Sequence, residues 1–360
     1  MNAMIISAMA GVLLGAPAFA QEPPAVVRAA GAEKARVTDL IKAATTEGQL
    51  SYIDAVIQPQ TNDELTAAFR KQYGLRDSFK VNYTLTNASG VITRIGQELQ
   101  ARRVSQDVGG IAALPWAFER ARAGDIIEYA SPEYAAFDKA IASGLAMKNY
   151  FAFNGAYIFV PTWSPETLPF AGKSWKDVVG AVSPGRMNIG DASKSETYLS
   201  TYVGLRRVLG VDYFNEVAKL KPNFLVRSEQ IVARVVSGED QTAYFGMPTR
   251  VYQANMRGAK VKFLLPQEGV VLLAQATFII KGAPHPAAAR LWIDFILSEV
   301  GQEILVRDEA LISGRTGFKS PIPEYAPSID SLHLINVDWH AVSSADMKKA
   351  REEWINIFSP

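Results

Sequence analysis

Ile279-Ile280-Lys281-Gly282-Ala283-Pro284-His285-Pro286-Ala287-Ala288-Ala289-Arg290-Leu291-Trp292-Ile293-Asp294-Phe295-Ile296-Leu297-Ser298-Glu299-Val300-Gly301-Gln302 decides the architecture. It begins with the end of an apolar run from Val270 to Ile280, interrupted by Gln275 and Thr277 and strand-like in composition. The breaker Gly282-Ala283-Pro284-His285-Pro286 follows. Ala288, Leu291, Trp292, Phe295 and Ile296 then recur three and four residues apart, a stripe wide enough to cover a sheet. The unit is therefore strand, turn, helix.

The same alternation recurs upstream. Pro23 to Gly31 reads as a loose leader, and Val37, Leu40 and Ile41 mark a helix over 33–44, stopped by Gly48. Gln49 to Ile53 suits a first strand. Thr61-Asn62-Asp63-Glu64 suits a cap and acidic first turn for the helix carrying Leu65, Ala68 and Phe69. Phe79 to Leu85 is the next strand, ended by Thr86-Asn87-Ala88-Ser89-Gly90; a helix on Ile92, Ile95 and Leu99 and a strand over 108–114 follow. Strand–helix alternation predicts an α/β fold with a mainly parallel sheet covered by helices. In such sheets ligands sit beyond the carboxyl ends of the strands, where loops enter helices.

The character changes at Tyr150 to Val160, a long apolar and aromatic segment that Pro161 and Pro165 end, as expected of a strand crossing between two lobes. Beyond it come a strand over 182–189, the loop Gly190 to Glu196, a helix on Leu199 and Tyr202, a helical patch on Ile231, Val232, Val235 and Val236, and a short strand over 241–246. Residues 320–360 are punctuated by proline before a final amphipathic stretch.

Met4 to Ala16 is almost uninterruptedly apolar and leads to Ala18-Phe19-Ala20 before Gln21, the pattern of a secretory signal peptide over residues 1–20. No Lys or Arg precedes the apolar core, the one departure from that pattern. About 340 residues would remain, enough for two packed domains. The chain has no cysteine, which excludes disulfides, thiolate metal sites and cysteine nucleophiles and predicts a product free in its compartment. Its 37 basic and 36 acidic residues are well mixed and give +1, with no electrostatic footprint for nucleic acid.

The 279–302 segment resembles a passage of bacterial extracellular solute-binding proteins of ABC importers, in the family 1 branch that includes binders of ferric iron, thiamine, polyamines and aminoalkylphosphonates. The resemblance extends to the 48–52 strand, to Asp107-Val108, to Arg122-Ala123-Gly124-Asp125-Ile126-Ile127-Glu128-Tyr129-Ala130-Ser131-Pro132, and to Asp191 to Ser195, spanning roughly residues 45–320. It implies a two-lobed periplasmic binding protein fold of type II-like form with a hinge, crossing near Phe153-Asn154 and Glu268-Gly269. The expected organisation is a first part of lobe one over 21–153, lobe two over 154–267, a return segment over 268–325 and a helical C-terminal tail over 326–360. It also implies a periplasmic, monomeric carrier without a cofactor. Such a carrier captures a small organic ligand, anionic in the preferred reading, and delivers it to an inner-membrane ABC permease. Ferric iron and a polyamine or thiamine-type cation are the alternatives.

Candidate ligand residues fall at the predicted strand ends. Ser89 and Gly90 open a helix, where free amides and a hydroxyl suit carboxylate, phosphate or phosphonate oxygens. Asp191, Ser193 and Ser195 occupy the matching loop of the second lobe. Asp191 or Glu268 would pair with a ligand amine. Trp116, Tyr157, Tyr198 and Tyr244 offer rings with polar tips. Each residue also has an ordinary structural role: capping for the serines, core packing for the aromatics. Iron-binding relatives usually present adjacent tyrosines in the second lobe; here Tyr244 is followed by Phe245 and the chain has no Tyr-Tyr pair. His285, His333 and His340 lack neighbours at metal-ligand spacing, so no metal site is expected. Neither a nucleotide-binding glycine fingerprint nor a Gly-x-Ser-x-Gly elbow occurs, and no enzyme is expected.

Overall fold

The computed structural model describes residues 22–358; the expected leader over 1–20 lies outside them. Ten strands among these residues form two sheets. They are β1 (Gln49–Asp54), β2 (Lys80–Leu85), β3 (Val108–Ile111), β4 (Ala152–Tyr157), β5 (Val160–Trp163), β6 (Met187–Gly190), β7 (Asn223–Leu225), β8 (Thr242–Gly246), β9 (Lys262–Phe263) and β10 (Leu273–Ile279). The first sheet has the order β2-β1-β3-β10-β4 and the second β7-β6-β8-β5-β9. In each, three adjacent strands run parallel and the fourth strand in the order is antiparallel to both its neighbours: β1 pairs parallel with β2 and β3, and β6 with β7 and β8, whereas β10 opposes β3 and β4, and β5 opposes β8 and β9. The chain is thus two α/β lobes of matching topology joined by a hinge.

The 279–302 unit forms as its pattern dictates. The helix Pro286–Leu297 buries Leu291, Trp292, Phe295 and Ile296 against the first sheet. Trp292 lies 5.1 Å from Phe69, 5.4 Å from Tyr52 and 5.7 Å from Phe295, ring centre to ring centre. The helix entrance is fixed by carboxylates from elsewhere. Glu47 accepts from the amides of Ala287 (3.0 Å) and Ala288 (2.8 Å). Asp107, fully buried, accepts from the amides of Ser51 (2.7 Å) and His285 (2.6 Å) and sits 2.8 Å from His285 Nδ1. Orphan amides at a helix start need such acceptors, which gives His285 a structural task.

Several expected boundaries move. The segment expected to be a loose leader carries a short helix, Pro24–Arg28, because Val26 finds a buried seat. The helix carrying Leu65 begins at Pro59 after Gln58, ahead of the Thr61 cap read from sequence; Thr61 and Asn62 are buried inside it. The strand expected over 182–189 is confined to Met187–Gly190, since Pro184-Gly185 turns the chain before it. The first crossing also lies later than Phe153-Asn154: β4 belongs to the first sheet through Tyr157, β5 to the second from Val160, and only Ile158 and Phe159 lie between. The return crossing runs between Phe263 and Leu273.

The C-terminal helix Ser344–Phe358 packs on the second lobe through Trp354, which is buried 5.1 Å from the ring of Tyr202. Before it, residues 333–335 run beside the return crossing: Val270 N donates to His333 O (2.9 Å) and Ile335 N to Val270 O (2.8 Å). A third segment therefore passes between the lobes.

Candidate functional site

The loops after β1, β2, β6 and β7 and the helix after β8 face one another across the hinge and enclose a cavity of about 380 Å³. Its first-lobe wall is the turn Ala55–Gln58 and the helix entrance at Thr86, Asn87 and Ala88; its second-lobe wall is Ser195, Thr197 and Tyr198 with Arg227, Ser228, Glu229 and Arg250; Tyr157 and Phe159 of the crossing form the floor.

Asp54 builds the first wall. Its buried carboxylate accepts from the amides of Val56 (2.7 Å) and Ile57 (3.0 Å), from Gln275 Nε2 (3.0 Å), from Tyr52 Oη (2.6 Å) and from Asn154 Nδ2 (3.1 Å). β1, β4, β10 and the cavity turn are fixed by one side chain, and five donors compensate the burial of its charge. Beside it the helix Ala88–Gln100 is capped by Asn87, whose Oδ1 accepts from Gly90 N at 2.8 Å.

On the second wall two helices, Glu196–Leu209 and Ser228–Val236, start at the cavity, and neither has a side-chain cap. First-turn amides without a cap are donors directed at whatever occupies the cavity, and the helix dipole favours negative charge there. Between them lies Arg250, buried at 6% exposure on the helix Pro248–Met256. It meets Glu229 at 2.9 Å and donates to Ser228 Oγ (3.2 Å) and Gln253 Oε1 (2.8 Å). The first lobe reaches this cluster through Glu309, fully buried, which accepts from the amide of Gln58 (2.6 Å), Thr61 Oγ1 (2.7 Å) and Gln253 Nε2 (3.2 Å) and lies 3.9 Å from Arg250. Burial pushes the Glu309 carboxyl up, with Thr61 and the Gln58 amide opposing. The cavity lining thus carries two guanidinium groups, Arg227 and Arg250, against one carboxylate, Glu229.

The floor is aromatic. Phe159 lies 5.6 Å from Tyr157 and 4.6 Å from Tyr198, and Tyr198 stacks on Phe245 at 6.1 Å. Gly190 makes room for this arrangement: a Cβ there would stand 2.4 Å from the Tyr198 ring. Burial raises both phenols well above the ordinary range, so at neutral pH each is an uncharged hydrogen-bonding group.

Of the residues singled out in the sequence, Tyr157, Ser195 and Tyr198 line this cavity together. Ser89 and Gly90 follow Ala88 in the first turn of that helix and are outside the lining; Asn87 is the cap and occupies the Gly90 amide, and a Cβ on Gly90 would fall 2.3 Å from Thr86 Oγ1, so its glycine serves packing. The other five stand elsewhere. Asp191 accepts from Ser193 N (3.0 Å) and Ser193 Oγ (2.5 Å), so the pair is spent on its own loop. Tyr244 is fully buried in lobe two and donates to Tyr213 Oη at 2.8 Å. Trp116 packs 5.9 Å from Phe278 beside a different gap between the lobes. Glu268 accepts from Trp175 N at 3.2 Å. The sequence reading missed Asn87 as cap, Phe159, Ser228, Glu229 and Arg250. For Ser228 and Glu229 the signal was present in a polar pair opening the helical patch on Ile231.

Residues 59–308 match the family model for bacterial extracellular solute-binding proteins. The chain belongs to that family. It is accordingly a binding protein and not an enzyme. A protein of Haemophilus influenzae described as uncharacterized is 27% identical over 192 residues, 51% of this chain and 54% of that one, so the chain spans about half the length of the curated relative it matches. Among solved structures, this binding protein is similar to AfuA from Actinobacillus pleuropneumoniae with exogenous fructose-6-phosphate bound (TM-score 0.72, 18% identity, 86% of this chain and 98% of that one). It is also similar to iron-bound HitA from Pseudomonas aeruginosa (0.68, 17%, 86% and 99%) and to the ferric binding protein from Campylobacter jejuni (0.65, 16%, 86% and 98%). At such identities the likeness carries the two-lobed fold.

Proposed function

We propose that this protein is the periplasmic ligand-capturing component of an ABC importer, and that its cleft takes a small organic anion bearing phosphate, phosphonate or carboxylate oxygens. The delivery partner is the inner-membrane permease, met by a monomer that exposes both lobes. The observation that carries this reading is Arg250, a buried cation between two uncapped helix starts on the cavity wall. A guanidinium fork and aligned amides suit trigonal or tetrahedral oxyanions, and the aromatic floor suits an apolar or sugar-like body. A cationic ligand has a poorer case: Glu229 already pairs with Arg250, and Asp191 and Glu268 lie outside the lining. The test is native mass spectrometry of the freshly purified protein, followed by denaturing extraction. A stoichiometric anionic organic mass supports the reading, and a released amine overturns it.

Ferric iron is the second reading, favoured by two phenols, Tyr157 and Tyr198, and one carboxylate, Glu229, on a single cavity. Ferric binders are also among the similar structures. Iron would have to deprotonate phenols that burial holds neutral. Among the described residues no group of three or more His, Cys, Asp or Glu is gathered to assist. Titration with ferric citrate separates the two readings: a visible phenolate-to-iron absorption band lost in Tyr157→Phe and Tyr198→Phe establishes iron, and its absence with a bound organic anion excludes it.

A further inference from the structure

The C-terminal helix touches both walls of the hinge. At its start Glu119, on the first-lobe helix Leu114–Arg122, accepts from Ser344 N (2.9 Å) and Ser344 Oγ (2.6 Å). The same first-lobe helix holds the preceding segment, because Arg122 Nη2 donates to His340 O (2.8 Å) and Phe118 meets the His340 ring edge-on at 5.1 Å. About two turns further along, Arg351 faces the second lobe. Its Nη1 donates to Ala192 O (3.2 Å) and Ser193 O (2.8 Å), and its Nη2 pairs with Glu196. Those three partners bracket Ser195, the residue by which that loop reaches the cavity. Beyond Arg351 the helix is anchored in lobe two by Trp354 and by Glu353, which meets Arg206 at 2.8 Å and Tyr202. The helix lies beyond the 59–308 segment that matches the family.

We propose that residues 340–358 tie the lobes together beside the hinge, and that Arg351 is a positioning residue that holds the Ser195 loop against the ligand while Glu119 limits how far the cleft opens. When the lobes rotate apart, the helix must stay with lobe two, because Trp354 is buried there; the strain then falls on the contacts with Glu119 and Arg122, which are exposed and exchangeable with water. A gap of about 210 Å³ between Trp116, Ser200, Met347 and Arg351 leaves the helix room to shift there. The positioning role rests on the ligand reading given above; the tie does not.

The chain has no cysteine, so Lys42→Cys and Asn215→Cys, exposed sites on opposite lobes, accept two spin labels uniquely. Interlobe distances are then measured by pulsed electron resonance in ligand-free protein. Glu119→Gln and Glu119→Ala are expected to shift the distribution to longer and broader values, with melting temperature held near that of the parent. Unchanged distances overturn the tie. For the positioning role the probe is inorganic phosphate. Arg351→Ala is expected to weaken its binding roughly tenfold, the scale of lost charge-assisted hydrogen bonds, and Arg351→Lys to recover part of the loss. Equal affinity in all three proteins overturns it. If phosphate binds none of the proteins while the distances still move, the positioning claim falls together with the anion reading and the tie stands.

Discussion

Arg250 and Tyr244 sit on consecutive elements of lobe two and have opposite tasks. Arg250 opens onto the cavity, while Tyr244 spends its hydroxyl on Tyr213 in the core. Arg250→Gln keeps the hydrogen bonding to Ser228 but loses the charge, so affinity for the extracted ligand is expected to fall by about one to two orders of magnitude in calorimetric titration. Stability should change modestly, because Glu229 is about half exposed and buried Glu309, 3.9 Å from Arg250, keeps its donors from Gln58, Thr61 and Gln253. Tyr244→Phe should do the reverse: unchanged affinity, and a loss of about 1 kcal/mol in urea unfolding from one buried hydrogen bond. A Tyr244→Phe protein that no longer binds would return that residue to the site. The assignment of Tyr244 to the site in the sequence reading shows where sequence stops. β8 is buried on both faces, so alternation cannot say which side chain looks toward the cavity. Arg250 gave no periodic signal at all, being one cation on a short helix after Pro248.

At the scale of the element, the helix Pro286–Leu297 was legible because its apolar stripe and proline-rich entrance are local properties of the sequence. What its polar residues do was not. Asp294 faces away from the sheet, buried at 5%, 2.8 Å from both Arg36 Nη2 and Tyr129 Oη. Burial pushes its carboxyl up to about 6, against the pull of Arg36 and Tyr129. The native state therefore holds a proton that the unfolded chain gives up near 3.8. This contribution to stability is full below that value and is lost as pH rises through about 6. Asp294→Asn is expected to flatten the fall in melting temperature between pH 4 and pH 7, measured beside the parent; identical slopes would show that Asp294 does not titrate in that window. The edge strands β7 and β9, three and two residues long, left too little pattern to be read. Pairing with β6 and β5 makes them strands.

For the whole molecule, the main core is contiguous: one buried cluster runs from Val26 through Phe159 and Val270 to Trp354, across the crossings. Calorimetry is therefore expected to show a single unfolding transition despite the two lobes. Trp292→Ala, costing about 3–5 kcal/mol by removal of a fully buried ring, should displace that whole transition; a split into two would mean that the lobes melt separately. The α/β class and the two-lobe division came from alternation and from the aromatic break at 150–160, both carried by neighbouring residues. The two walls of the cavity, within 55–88 and 195–250, lie more than a hundred residues apart, and no local pattern encodes which of their side chains will meet. Phe159 joins these scales. It is one of only two residues between β4 and β5, and its ring lies against Tyr157 and Tyr198. The first crossing of the hinge thus forms part of the cavity floor. A cargo resting on that ring would exert torque on the joint directly, with no relay of intervening residues through which the message could be lost.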